Sequence, residues 1–159
     1  MGVLDEIKQD WKKNKTLAQK IEIQEAARQF QHSPLIHGKE VRLGDDTAAI
    51  PDADGYLLFA AEGVWPPLLQ ADPQLAGRSC MLANLNDVYA MGGRPLAVVD
   101  VLLHTRDLPA EKVFRGIQEN AERYGVPVVG GHSTRTEDVS SLAVCILWKA
   151  KKLLCSHTS

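Results

Sequence analysis

The sequence predicts an α+β domain in which two helices lie on one face of a four-stranded sheet. Three observations carry this. Residues 95–104 are almost all apolar, as in a strand buried on both faces. Residues 41–50 and 56–64 are extended segments split by Pro51-Asp52-Ala53-Asp54-Gly55, a hairpin signal with a glycine to accept positive φ. Two segments, residues 73–91 and 109–125, carry apolar residues at helical spacing. The order that follows is helix, β, β, α, β, α, β, a layer arrangement with helices against a sheet.

Taken in order, residues 1–31 are rich in Lys, Gln, Glu and Ala, with Leu17, Ile21, Ala26, Ala27 and Phe30 at helical spacing and Thr16 placed to cap. A polar connector over residues 31–39 holds the breakers Pro34 and Gly38. In the helix over residues 73–91, Leu82, Leu85, Val88 and Tyr89 form the expected apolar stripe. Asp72-Pro73 reads as its N-cap and first-turn proline. Pro109 opens the next helix, which places Val113, Ile117, Ala121 and Tyr124 on one face and stops at Gly125. Residues 126–129 form a short extended piece that leads into Gly130-Gly131-His132-Ser133, and residues 140–149 form the last strand. Val98, Val101, Leu103, Val144 and Ile146 supply more apolar surface than two helices cover, so a partner subunit is expected on the second sheet face.

Composition narrows the function. With 159 residues, 45% hydrophobic and 24% charged, the chain fits one domain with a real core. A formal charge of −2 gives no broad cationic surface, so neither nucleic acid nor anionic lipid is an expected partner. The apolar runs at 95–103 and 142–148 fall far short of the roughly 20 residues of a membrane helix. The N-terminus has acidic residues and no apolar signal core. Cys80, Cys145 and Cys155 are odd in number and lack CxxC spacing, which suits a reducing cytoplasm. Cys80 and Cys145 lie within apolar patterns and read as packing residues.

Four segments put polar or flexible residues at the edge of apolar elements. Gly44-Asp45-Asp46-Thr47 holds adjacent carboxylates, which repel unless a cation or donors gather there; hard oxygen ligands of this kind suit Mg²⁺, and the alternative is a solvated turn. Asn84, Asp87 and Met91 share a helix side one turn before the Gly92-Gly93 stop, which is either a polar binding stripe or plain surface. Gly130-Gly131-His132-Ser133-Thr134 offers glycines that admit an anion to backbone N–H groups, together with hydroxyl donors. It has no GK[ST], and its alternative reading is a bulged turn before the last strand. Glu62 ends an apolar strand and is placed to face the same cleft as Asp45 and Asp87.

Jointly, GDDTAAI, FAAEGVWPPLLQADPQLAG, NLNDVYAMGGRPLAVV and YGVPVVGGHS, in that order across residues 44–133, resemble the superfamily of aminoimidazole ribonucleotide (AIR) synthetase. Its other members include selenophosphate synthetase, thiamine-monophosphate kinase and a hydrogenase-maturation dehydratase. The resemblance covers about residues 17–150. It implies a ferredoxin-like β-β-α-β-α-β domain whose four-stranded sheet pairs with a second copy to close an eight-stranded barrel, a homodimer with Mg²⁺-ATP in a groove beside it. Carried over by position, Asp45, Asp46 and Asp87 would be metal ligands, with Glu62 a longer substitute where relatives carry Thr-Asp. Asn84 would lie nearby, and Gly130, Gly131, His132 and Ser133 along the phosphates. The kinase branch has GGDT where this chain has GGHS, and the GGH form leans toward selenophosphate synthetase, although no cysteine precedes Cys80 as that branch requires.

The resemblance divides the chain into an N-terminal helix and connector (residues 1–38), the ATP-binding and dimerisation domain (39–150) and the start of a linker (151–159) toward a second domain that forms the other wall of the cleft. The expected function is the Mg²⁺-ATP half-site of an AIR-synthase-related phosphotransferase-type enzyme, truncated here, with a small-molecule phosphate acceptor in the full-length protein. A non-catalytic dimerisation module that has lost nucleotide chemistry is the alternative.

Overall fold

The structure, a computed structural model, describes residues 3, 4, 29, 30, 35, 36, 38–41 and 47–154. The expected helix over residues 17–30 and its Thr16 cap fall outside them except at its last two positions. The chain divides into two compact units, Met1–Asp45 and Asp46–Ser159. In the first, β1 (Leu35–Ile36) and β2 (Lys39–Glu40) pair antiparallel in a minimal hairpin. Gly38 turns it at φ 74°, a left-handed backbone that favours glycine.

The second unit runs β3 (Ala48–Asp52), β4 (Gly55–Gly63), α1 (Pro66–Ala71), α2 (Pro73–Ala90), β5 (Arg94–His104), α3 (Ala110–Tyr124), β6 (Val128–Arg135) and β7 (Ser141–Ala150). Its sheet has the order β3-β4-β7-β5-β6. The β5–β6 pair is parallel and the others are antiparallel. The α+β class therefore holds, with two corrections. The sheet has five strands rather than four, because the glycine-bearing stretch after residue 127 is a full strand. A short helix, α1, precedes α2, started by Pro66 and Pro67 in its first turn. Glycines weaken a strand, but at a sheet edge β6 needs only one ladder, and β5 supplies it.

The helices pack on the side to which β7 turns Leu142, Val144, Ile146, Trp148 and Ala150, all buried, while its alternate residues from Ala143 on are half-buried. Val98, Asp100 and Leu102 of β5 and Leu58 and Ala60 of β4 lie on the same side, as their pairing requires. Asp72 caps α2 by accepting from the Leu75 N–H at 2.9 Å, with Pro73 following. Gly125 closes α3 at φ 65°. Val113, Ile117 and Ala121 are buried as the spacing of α3 requires, whereas Tyr124 is exposed.

The expected stripe of α2 is displaced. Leu85 and Val88 are buried, but Leu82 and Tyr89 are exposed, and Ala76, Gly77, Cys80, Met81 and Asn84 complete the inward face. Small and polar residues are chosen there because α3 comes very close. A Cβ at Gly77 would meet the Val113 carbonyl and one at Gly116 the Gln74 carbonyl.

On the other sheet face lie Phe59, Ala97, Val99, Val101, Leu103, Cys145 and Leu147, by strand alternation. Phe59 is 44% and Val101 39% exposed. Of the five residues expected to supply this uncovered surface, Val101 and Leu103 do; Val98, Val144 and Ile146 face the helices instead. A continuous apolar run hides which residues alternate to which side.

Candidate functional site

Glu62 is the penultimate residue of β4 and pairs with Val144 of β7. Val144 pairs with Asp100 of β5, and Asp100 with Gly131 of β6. These four form one row across the helix side of the sheet. Three strand spacings separate its ends, so Glu62 and Gly131 lie about 14 Å apart along the row. The floor between them is filled. Val144 is fully buried, and the Cys80 thiol of α2 donates to the Glu62 carbonyl at 3.2 Å.

From Cys80 the polar side of α2 continues to Asn84 and Asp87. Asn84 is fully buried; its Nδ2 donates back to the Cys80 carbonyl at 3.0 Å, while its Oδ1 has no partner among the described residues. Asp87 is half-buried three residues later. It stands roughly 10 Å beyond Cys80 along the helix axis, at 1.5 Å rise per residue. Thus Glu62 and Asn84 are tied through Cys80, and Asp87 is set further along the same helix.

Burial pushes the Cys80 thiol up to about 12, with the Glu62 and Asp100 carboxyls adding to the effect. It stays a protonated packing thiol at neutral pH, not a nucleophile. Iodoacetamide at pH 8 should leave Cys80 unmodified in the folded chain and label it in urea. Peptide mass spectrometry showing equal labelling in both states would contradict that burial.

The Gly130–Ser133 segment is neither a loop nor a bulged turn but the middle of β6, exposed along its whole length. Among the described glycines only Gly38, Gly92 and Gly125 have positive φ, so these two glycines form no curled anion nest. Their sides differ. Gly131 and Ser133 face the helix side; Gly130 and His132 face the open side, where His132 Nε2 and Thr134 Oγ1 are hydrogen-bonded at 2.6 Å. A Cβ at Gly131 would run into Asp100, whereas one at Gly130 would meet only Val99 at an ordinary 3.8 Å.

Asp45 and Asp46 lie outside the described residues. Among the described residues no three His, Cys, Asp or Glu side chains converge on one point where a metal ion would sit. The sequence reading missed Asp100. It is 7% exposed, and burial holds its carboxyl above the usual range, partly offset by its own main-chain N–H. The signal was present, since Asp100 is the one charged residue inside the apolar run at 95–103. No helix among the described residues is long and apolar enough to cross a membrane.

Several known proteins are similar to this chain. The uncharacterized protein sll0787 of Synechocystis is 47% identical over 137 residues, which is 86% of this chain and 42% of that protein. A selenide, water dikinase of Myxococcus xanthus is 33% identical over 114 residues, 69% of this chain and 32% of that enzyme. The chain thus spans less than half the length of these curated relatives. Among solved structures, AaThiL complexed with AMPPCP and TMP superposes with a TM-score of 0.68 at 23% identity, covering 82% of this chain and 42% of that one. PurL of T. maritima complexed with ATP gives 0.60 at 18% identity, covering 67% of this chain and 20% of that one. At such identities the structural likeness establishes the five-stranded α+β fold and nothing finer. The sequence match goes further: residues 44–148 match the N-terminal domain of the AIR synthase related protein family, and the chain belongs to that family.

Proposed function

We propose that this chain is the Mg²⁺-ATP-binding and dimerisation domain of an AIR-synthase-related, phosphotransferase-type enzyme. Asp45, Asp46 and Asp87, with Glu62, hold Mg²⁺; Asn84 lies beside it; and Gly130, Gly131, His132 and Ser133 run along the phosphates. The observation that carries this reading is Asn84, whose fully buried Oδ1 has no described partner on a helix side that also bears Asp87. An orphaned buried acceptor is costly unless a donor or cation completes it, and a set of carboxylate and amide oxygens suits Mg²⁺. Bound there, the ion would neutralise phosphate charge, the main demand of phosphoryl transfer. Sequence neighbours include selenide, water dikinases, and structural neighbours include proteins solved with ATP or AMPPCP.

The acceptor is a small molecule held with the help of residues beyond those matched, since the relatives are more than twice as long as the matched part. The open apolar face around Phe59 and Val101 pairs with a second copy as a homodimer. A second reading, a dimerisation module without nucleotide chemistry, draws on the lack of three converging metal ligands among the described residues.

One experiment separates the two. Mg²⁺-ATP at a hundred times its Kd should stabilise the folded chain by about 2.7 kcal/mol, read as a raised Tm that EDTA reverses. An unchanged Tm up to millimolar Mg²⁺-ATP, in a chain that still sediments as a dimer, supports the second reading and rejects the first.

A further inference from the structure

Among the described residues, the buried side-chain atoms left without a hydrogen-bond partner are Thr47 Oγ1, Asn84 Oδ1 and Trp148 Nε1. The Trp148 indole N–H is a donor and lies beyond the C-terminal end of α2, against Gly93. The other two atoms are oxygens, on residues 6% and 0% exposed. An unpaired polar atom in a dry interior is held at a cost, so two such oxygens mark a place that a bound species completes.

Register sets the two at one level of the sheet. Thr47 directly precedes β3, whose first pair is Ala48 with Phe59, so the antiparallel ladder carries residue 47 toward Ala60. Ala48 shares the open side with Phe59; residue 47 alternates to the helix side, as its burial requires. Asn84 reaches the same level from α2. That helix meets β4 at Cys80, bonded to the Glu62 carbonyl, and is followed by Gly93 against Trp148, the partner of Leu58. It therefore runs back along β4 from residue 62 toward residue 58. One turn from Cys80 to Asn84 advances about 6 Å, and two strand residues from Glu62 to Ala60 advance about 6.6 Å. Both orphan oxygens thus stand at the level of Ala60, one from the start of β3 and one from α2, and they do not satisfy each other.

The chemistry of the missing species follows from the atoms. Asn84 Nδ2 is committed to the Cys80 carbonyl, which leaves the amide oxygen, an acceptor only. A hydroxyl oxygen and an amide oxygen are both neutral, hard ligands; they offer a cation two bonds and would set one repelling oxygen against an anion. Thr47 also follows Asp45-Asp46 directly in the chain. Its hydroxyl therefore joins the segment that bears those carboxylates to the helix that bears Asn84 and Asp87.

We propose that Thr47 is a further Mg²⁺ ligand, its hydroxyl oxygen and Asn84 Oδ1 holding the ion between the start of β3 and α2. This rests on the Mg²⁺-ATP reading above and adds two neutral ligands to its carboxylates. Neutral oxygens fill positions around the ion without adding charge that would repel the phosphates, and carboxylates beyond the remaining positions act through its waters.

The test is a pair of effects that run in opposite directions in Thr47→Val, which keeps the side-chain shape and removes the hydroxyl. Without ligand its Tm should be unchanged or raised, because an apolar group replaces an unsatisfied polar one. Its Mg²⁺-ATP affinity, by calorimetry, should nonetheless fall on the order of tenfold, the scale of losing a partner at a metal site. ATP in EDTA should bind variant and wild type alike. Thr47→Ser, which restores the hydroxyl, should recover the Mg²⁺-dependent part. A lowered Tm of ligand-free Thr47→Val would show a hydroxyl already bonded within the fold and overturns the proposal. Undiminished Mg²⁺-ATP affinity in Thr47→Val also overturns it, and leaves the nucleotide site standing wherever the wild type binds ATP in a Mg²⁺-dependent way. If the wild type shows no Mg²⁺-dependent ATP binding, the nucleotide reading fails and this inference with it.

Discussion

Replacing Gly116 with valine should destabilise the domain by about 3 kcal/mol or more, at the upper end of overpacking effects. Helix propensity alone points the other way, since alanine in a helix interior is worth about 1 kcal/mol over glycine. Contact geometry decides between them. The obstruction to a Cβ at 116 is the Gln74 carbonyl, with the Arg78 main-chain nitrogen behind it, and the reciprocal obstruction at Gly77 is the Val113 carbonyl. These are backbone atoms, and no rotamer change moves them aside. The two helices must part, which loosens Val113, Ile117 and Ala121 against Ala76 and Cys80. Parting also breaks the bond from the buried Asn120 Nδ2 to the Arg78 carbonyl, now 2.8 Å. An unsatisfied buried amide adds about 1–3 kcal/mol to the cost. The Arg78–Glu119 ion pair bridges the same helices, but at 42% and 39% side-chain exposure it adds little. Gly116→Ala should destabilise less than valine but with the same sign. Gly63→Ala is the control, for its Cβ would meet only the Leu142 carbonyl at 3.8 Å. Urea midpoints in which Gly116→Ala gains stability would show that the helices are not in such close contact.

This helix pair also shows what the sequence reveals and what it hides. Elements whose signals are local were legible. The Asp72-Pro73 start of α2, the Gly125 stop of α3 and the inward Val113, Ile117 and Ala121 of α3 follow from capping and an amphipathic period. The hairpin between β3 and β4 stands where expected, but Gly55 does not take positive φ; a Cβ there would meet the Ala150 carbonyl. The α2 face was misplaced because its contact residues are selected for small size. Gly77 and Cys80 are invisible to a count of large apolar residues, and exposed Leu82 and Tyr89 are counted in error. The second glycine of the Gly92-Gly93 pair reads as a helix stop, yet a Cβ there would overlap the Trp148 indole, which is wholly buried. That reason is tertiary, since 55 positions in the chain separate the two residues.

The same limit explains the site. The motif residues could be named from their order, but a linear pattern carries no sheet register. That Glu62 and Gly131 end one row, with Asp100 between them on the helix side, follows only from the pairing of β4, β7, β5 and β6. Asp100 matches no motif, and a single acid within an apolar run reads as part of a strand. The Gly130–Ser133 segment erred in the opposite sense. Two glycines and two hydroxyl-bearing neighbours read as a loop, and the edge position that tolerates them in a strand is again a property of the sheet.

Asp87→Asn should cost the chain at least tenfold in Mg²⁺-ATP affinity while leaving its fold intact, and the loss should vanish when Mg²⁺ is withheld. The substitution keeps shape and one oxygen but removes the charge. Asp87 is half-buried rather than sealed in the core, so the folded state should tolerate the amide. In the proposed site that charge does two things. It attracts Mg²⁺, and it adds to the negative charge that holds the ion against the phosphates. Losing one carboxylate therefore weakens metal capture rather than nucleotide contact, which is why the deficit should depend on Mg²⁺. A residue that merely supported α2 would lower Tm and weaken ATP equally with and without metal. Calorimetry with Mg²⁺ and with EDTA, alongside circular dichroism, distinguishes the two. Glu62→Gln makes a sharper comparison. The Glu62 main chain is held by Cys80, a point about 10 Å short of Asp87 along α2, so both bind one ion only if the longer glutamate reaches across. A deficit in Asp87→Asn with none in Glu62→Gln would assign the ion to Asp87 and the GDD segment alone. Unchanged Mg²⁺-ATP affinity in Asp87→Asn would remove Asp87 from the metal set and, with it, the main support for placing the ion on this helix.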